Sequence, residues 1–251
     1  MTSPLCPVCR SRATAHTISF KGMELFSCAG CAALFMHPMP TPEELDRFYG
    51  NPYDGATVGY YAKAEKKLRR GRKRARLLHG FVTTPGRRFL DIGCSAGYTT
   101  QAMHELGYAA TGVDVDRPGI AQAEKAYPHN TYRQGFWPQV GEGLGAFDAI
   151  HCSEVIEHVP DPHPFVQGLA RALVPGGVVN LTTPDVAHWN RPRDLLKWKD
   201  FGPPAHCLYF SPKALRRLLG FYGLEVVWHR PNWKAGIQVY ARKVMAEAAT
   251  G

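Results

Sequence analysis

Arg88-Phe-Leu-Asp-Ile-Gly-Cys-Ser-Ala-Gly-Tyr-Thr-Thr100 decides how the rest of the chain is read. The apolar run from Phe89 to Ile92 ends on glycine and passes into a helical pattern from Tyr98 to Leu106, which predicts a buried strand, a tight turn and a helix. Gly93 and Gly97 let the backbone turn sharply and approach a ligand closely. The N–H groups at the helix start favour an anionic group above the turn. A second strand, Ala109 to Val113, ends on Asp114, twenty-three residues after Asp91, where a carboxylate suits a ribose diol. The stretch therefore reads as a nucleotide-type cofactor site.

Gly93-x-Ser95-x-Gly97 also has the spacing of a hydrolase nucleophile elbow. That fold needs several strands before the elbow, and residues 50 to 86 offer a Tyr/Pro loop and a basic helix. A G-x-G-x-x-G dinucleotide fingerprint is equally poor, with Ser at 95 and Tyr at 98.

Outward from the turn, strand and helix alternate. A helix is expected from Arg117 to Ala126, a short strand from Thr131 to Gln134, and a strand from Ala146 to His151. A helix follows from Pro162 to Leu173, then a turn at Pro175-Gly-Gly177 into a strand from Val178 to Thr183. Ser211-Pro-Lys caps a last helix, and Leu224 to Arg230 with Ile237 to Arg242 form a terminal hairpin. Alternating βα units imply an α/β, doubly wound, mostly parallel sheet with an antiparallel last strand.

Towards the N-terminus, Cys6-Pro-Val-Cys9 and Cys28-Ala-Gly-Cys31 are separated by eighteen residues, the spacing of a four-cysteine zinc ribbon. Cys6, Cys9, Cys28 and Cys31 would close a tetrahedron, so the zinc would be structural. Thr17 to Phe26 reads as strand-turn-strand around Lys21-Gly22. Thr41, Pro42 and Glu44 spell a capped helix start. Asn51 to Gly59, followed by Tyr60 and Tyr61, reads as a turn-rich linker.

The net charge of +9 is local: between Lys63 and Arg76 nine Lys or Arg face one acid, Glu65, and the remaining 237 residues carry +1. This basic helix is either a solvated face or a platform for an anionic substrate or RNA. No apolar run is long enough to span a membrane and no signal-peptide pattern opens the chain, so a cytoplasmic protein is expected. Seven cysteines, four of them in CxxC pairs, fit a reducing compartment.

Asp91-Ile-Gly-Cys-Ser-Ala-Gly97, Phe147-Asp-Ala-Ile-His-Cys-Ser-Glu-Val-Ile-Glu-His-Val-Pro-Asp-Pro162 and Leu173-Val-Pro-Gly-Gly-Val-Val179 resemble the motifs of class I S-adenosylmethionine-dependent methyltransferases across residues 80 to 242. The resemblance implies a Rossmann-like seven-stranded sheet behind the ribbon. It divides the chain into a zinc ribbon (1–40), a helical linker and cap with the basic helix (41–80) and a methyltransferase domain (81–251), with residues 184–210 as substrate loop or lid. It implies S-adenosylmethionine as cofactor. Asp91, Gly93, Cys94, Ser95 and Gly97 would sit against the methionine part, and Asp114 and Val115 at the ribose. Gly135 and Phe136 would flank the adenine, and Cys152, Ser153 and Glu154 would close the pocket.

Glu154-x-x-Glu157-His158 resembles the E-x-x-E-H of ubiquinone-pathway O-methyltransferases and small-RNA 2′-O-methyltransferases, where these side chains hold a divalent cation near the acceptor hydroxyl. If the segment opens a helical turn, Glu154 shares a face with Glu157 or His158. His206 would complete the set from the long loop. Two carboxylates and imidazole suit Mg²⁺ or Zn²⁺, which would lower the pKa of an acceptor hydroxyl. Alternatively His158 is a general base oriented by Glu157, or the segment is structural. Trp189, Trp198, Phe201 and Tyr209, with Arg191, Arg193, Lys197 and Lys199, suit an aromatic, sugar-phosphate or nucleotide-linked acceptor. The expected activity is methyl transfer to a small-molecule hydroxyl, with RNA as the alternative; oligomeric state has no signature.

Overall fold

The computed structural model describes residues 3–41, 43–45 and 63–245. The expected linker at 51–59, Tyr60, Tyr61 and Pro42 lie outside the described residues. Three strands open the chain: β1 (Thr14–Phe20), β2 (Met23–Cys28) and β3 (Leu34–Met36). The capping box forms, with Thr41 N–H donating to Glu44 Oε2 at 2.8 Å and Glu44 N–H donating to Thr41 Oγ1 at 3.2 Å.

Helix α1 (Ala64–His79) carries the basic run and buries Gly71, Ala75 and Leu78. Then come β4 (Arg88–Ile92), α2 (Tyr98–His104), β5 (Ala109–Asp114), α3 (Arg117–Ala126) and β6 (Thr131–Gln134). The chain continues through β7 (Phe147–Ser153), α4 (Pro162–Ala172), β8 (Leu173–Pro184), β9 (Leu208–Tyr209), α5 (Pro212–Gly220), β10 (Leu224–His229) and β11 (Gly236–Lys243).

Seven strands form one sheet in the order β10-β11-β8-β7-β4-β5-β6, in which β11 runs antiparallel to both neighbours and the other pairings are parallel. The chain winds outward from β4 through β5 to β6, then returns to place β7 on the other side of β4. That reversal opens a crevice at the carboxyl ends of β4 and β7, the usual ligand position in such sheets. The central strands are mostly apolar, as a sheet covered on both faces requires, with Asp91, Asp148, His151 and Asn180 as buried polar exceptions.

Several boundaries shift by a residue or two from the sequence expectation, and the largest difference is at the start of β8. β8 begins at Leu173, directly after α4, so Pro175-Gly-Gly177 lies within the strand rather than before it. Phe147 pairs with Leu173 and Ala149 with Val178, so the extra residues are absorbed in a bulge where Gly176 takes φ +78°.

The ribbon is not a separate bead. Its sheet continues β1-β2-β3 into β9, with Leu34 opposite Tyr209 and Phe35 opposite Leu208. Cys6, Val8, Leu25 and Phe35 share one continuous core with Leu181, Phe210, Leu215 and Leu219.

Candidate cofactor and acceptor site

At the end of β4 the chain must turn where no side chain fits. Gly93 has φ +77°, and a Cβ there would come 2.5 Å from Val155 Cγ2. Gly97, at φ +71°, precedes α2, and a Cβ would meet the Tyr132 hydroxyl at 2.6 Å. Ser95 also has positive φ, at 46°, a conformation that costs a non-glycine residue about 1 kcal/mol. Its N–H donates to Asp114 Oδ2 at 2.7 Å, which offsets that strain and ties the turn to β5. The other Asp114 oxygen accepts from Asp116 N–H at 2.8 Å. Asp91 is buried and accepts from Thr100 Oγ1 at 2.8 Å; burial pushes its carboxyl up to about 7.

A cavity of about 1010 Å³ lies in the β4/β7 crevice. Gly93, Asp114, Val115, Gly135, Phe136, Ser153, Glu154 and His158 all line it. Of the other expected cofactor residues, Cys94 and Cys152 are buried in the protein core, and Asp91 and Gly97, buried, and Ser95, half-buried, are not among the lining residues. Sequence reasoning missed Trp137, Val155, Val159 and Phe165, which extend the apolar wall, and Pro40 and Leu45, which reach it from the segment after the ribbon. Val155 and Val159 lie within the quoted Phe147–Pro162 motif, and Trp137 and Phe165 lie within three residues of quoted positions, so all four could have been found by adjacency. Pro40 and Leu45 flank the capped helix start at Thr41 and Glu44, a local signal that gives no direction toward the crevice. S-adenosylmethionine fits this donor set: a glycine cradle that a Cβ would fill, a carboxylate at the end of β5, and apolar surface where a purine needs it.

Beyond β7, a 3-10 turn spans Ile156–His158. Ligand atoms of Glu157, His158 and His206 lie within 4.8 Å of one another. His158 Nδ1–H donates to the Ala205 carbonyl at 2.9 Å, and His206 Nδ1–H donates to the Asp200 carbonyl at 2.7 Å. Each ring thereby presents Nε2 as its lone-pair nitrogen, the arrangement in which a backbone carbonyl orients a metal-ligating imidazole. Glu157 is 1% exposed. Its Oε2 accepts from Thr183 Oγ1 at 2.9 Å, while Oε1 is buried with no hydrogen-bond partner. Burial, reinforced by Glu154, pushes the Glu157 carboxyl up to about 8; burial, reinforced by the facing His206, lowers His158 to about 4. A buried carboxyl with one unpartnered oxygen, clustered with two oriented imidazoles, is a donor set that a divalent cation fits once the carboxyl has lost its proton.

Glu154 stands apart. Its φ of +56° breaks the helical path before the turn, so it does not share a face with Glu157 and His158. It accepts instead from Thr182 Oγ1 at 2.9 Å, and that oxygen also bonds Ser153 Oγ at 2.7 Å.

The four ribbon cysteines are buried with their sulfurs within 4.8 Å of one another; Cys6 and Cys31 are 3.7 Å apart, Cys9 and Cys28 3.5 Å. A tetrahedral site with Zn–S of about 2.3 Å puts its sulfurs about 3.8 Å apart, so the set fits zinc.

Among the loop aromatics, Trp198 and Tyr209 are buried, Phe201 packs on Phe20 of β1 with ring centroids 5.5 Å apart, and Trp189 is 69% exposed; none of them lines the cavity. In the basic helix, Arg72 holds Glu105 with two bonds of 2.6 and 2.8 Å. Among the described residues no helix is long and apolar enough to cross a membrane.

Comparison with known proteins gives the same placement. Residues 60–229 match the family model of a methyltransferase domain. A ubiquinone biosynthesis O-methyltransferase of Xanthomonas campestris pv. campestris is 36% identical over 108 residues, 41% of this chain and 45% of that protein. The corresponding enzyme of Idiomarina loihiensis is 30% identical over 152 residues, 56% of this chain and 62% of that protein. The matched stretch thus spans less than two thirds of these curated relatives. A solved Burkholderia thailandensis 1,6-didemethyltoxoflavin-N1-methyltransferase, with its substrate and S-adenosylhomocysteine bound, aligns with a TM-score of 0.60 at 20% identity, over 91% of this chain and 99% of that one. The likeness to that structure is one of fold.

Proposed function

Because this chain belongs to the methyltransferase-domain family, we propose that it transfers a methyl group from S-adenosylmethionine to a hydroxyl oxygen of a small molecule. The observation that carries the reading is a single cavity lined by Gly93 and Asp114 together with His158. When bound, S-adenosylmethionine supplies an electrophilic methyl on a sulfonium, which the acceptor oxygen takes as sulfur keeps the bonding pair. Asp114 holds the ribose hydroxyls, and Gly93 lets the backbone pass close to the methionine part. The apolar wall at Val155, Val159 and Phe165 excludes water and presses a flat acceptor against the reacting end, so positioning carries much of the rate.

Glu157, His158 and His206 hold a divalent cation. That ion would stabilise the acceptor as an alkoxide or phenolate. A second reading, His158 as general base, is favoured by one fact: of the three, His158 alone lines the cavity, with its tautomer fixed by Ala205. Four cysteines hold a structural zinc. RNA gains no support from the named relatives, and α1 presents its buried stripe to the domain rather than an aromatic platform.

Glu157→Gln and His206→Gln decide between the two readings. If the cation reading holds, each lowers turnover about 100-fold, as loss of acid–base or metal assistance does, and a mild chelator that spares the ribbon zinc reproduces the loss. Both variants keep S-adenosylhomocysteine affinity. If His158→Gln alone abolishes turnover and the chelator has no effect, the base reading replaces it.

A further inference from the structure

We infer that the cysteine ribbon sets the acceptor half of the active site, holding His206 beside Glu157 through the backbone of Cys207. The inference rests on the reading of Glu157, His158 and His206 as the reacting cluster.

Cys207 is the crossing point. Its N–H donates to the Glu157 carbonyl at 3.0 Å, and its own carbonyl accepts from Met36 N–H of β3 at 3.0 Å. One residue therefore bridges the last strand of the ribbon and the turn that carries Glu157, with His206 immediately before it. Two further clamps flank the crossing. Ser211 Oγ donates to the carbonyl of the zinc-ligand position Cys31 at 2.7 Å, while accepting from Ala214 N–H at 3.0 Å as the cap of α5. Phe20 of β1 meets Phe201 edge to face at 5.5 Å, and Phe201 stacks on Tyr209 at 5.5 Å. Tyr209 in turn accepts from Gly202 N–H at 3.2 Å, and Gly202 accepts from the His206 N–H at 3.0 Å. The segment from Asp200 to Ser211 is thus laid onto the ribbon at three places.

The cofactor half is built differently. Gly93, Ser95 and Asp114 are fastened to one another within β4, β5 and the turn between them. Loosening the ribbon contacts should therefore move His206 and leave cofactor binding in place. β9 is two residues long and its strand pairing is to β3, so β3 supplies the backbone template for it. Cys207 is a positioning residue here; it touches no reacting atom.

The test reads geometry without turnover. In protein labelled with ¹⁵N-histidine, the Nδ1–H of His206, bonded to the Asp200 carbonyl, gives a protected proton signal, identified by its loss in His206→Gln. Phe20→Ala and Ser211→Ala each remove one clamp and leave the four cysteines and the cavity lining untouched. Zinc content, S-adenosylhomocysteine affinity by calorimetry and solvent exchange of that proton are measured on each, with Ser211→Thr as the rescue for the capping role of residue 211. The expected result is exchange at least tenfold faster for His206, affinity within about twofold of the parent, zinc unchanged, and recovery in Ser211→Thr. Unchanged exchange in both variants overturns the inference, and so does an equal loss of cofactor affinity, which would make the ribbon a support for the whole fold. Because no acceptor is involved, a protein that failed to transfer methyl groups through His206 would still answer this question separately.

Discussion

Asp114 carries more than one duty. Its two oxygens accept from Ser95 and Asp116 N–H groups while the carboxylate faces the cavity. Asp114→Ala should weaken S-adenosylhomocysteine binding at least tenfold by calorimetry, about 1.4 kcal/mol, through lost ribose contacts and a slackened turn; unchanged affinity would remove it from the site. His151 offers a cleaner electrostatic case. It is fully enclosed in the sheet, with Nδ1–H donating to Asn180 Oδ1 at 2.9 Å, and burial lowers its pKa to about 3. A base whose pKa is depressed in the fold stabilises it above the unfolded value near 6.5, and that stability is lost as pH falls towards 3. Between those limits the parent should lose about 1.4 kcal/mol per pH unit relative to His151→Gln, measured by urea unfolding. Parallel pH curves for the two proteins would contradict the assignment. At this scale the sequence carries residue types but not the backbone direction that aims them. Glu157 and His158 were legible as a pair, whereas Glu154 was not separable from them, because a left-handed φ at a non-glycine residue leaves no sequence mark.

Among the elements, α1 and α2 meet at a glycine. A Cβ on Gly71 would sit 2.6 Å from the Tyr98 carbonyl oxygen, a backbone atom that cannot swing away. Alanine gains about 1 kcal/mol of helix propensity over glycine, but forcing two helices apart costs about 1–3 kcal/mol. Gly71→Ala should therefore lower stability, while Gly220→Ala at the end of α5, with nothing within 4 Å, should be neutral or stabilising. If both raise the melting temperature, the packing argument fails. The long strands and helices of the α/β domain announce themselves through apolar runs and glycine punctuation, which is why β4 to β7 and the terminal hairpin were readable. β9 was not: two residues have no period, and their partner β3 lies about 170 positions earlier in the chain. The bulge in β8 was equally hidden, since Pro-Gly-Gly reads the same whether it turns before a strand or buckles within one.

For the whole molecule, the shared core means that ribbon and α/β domain should unfold together. Removing the ribbon zinc under strong chelation should abolish a single cooperative transition rather than melt a detached N-terminal unit, because metal-binding free energy is folding free energy in such sites. Two well-separated transitions, with the cofactor-binding one unaffected, would show the ribbon to be independent. The central claim is methyl transfer to a small hydroxyl compound, and the most direct measurement follows a labelled methyl group. Pure protein is incubated with methyl-labelled S-adenosylmethionine and an extract separated into small-molecule, RNA and protein fractions, beside the Asp114→Ala variant. Label should enter the small-molecule fraction on oxygen, and fall at least tenfold in the variant. Label confined to RNA or protein, or no transfer into any fraction, would contradict the account.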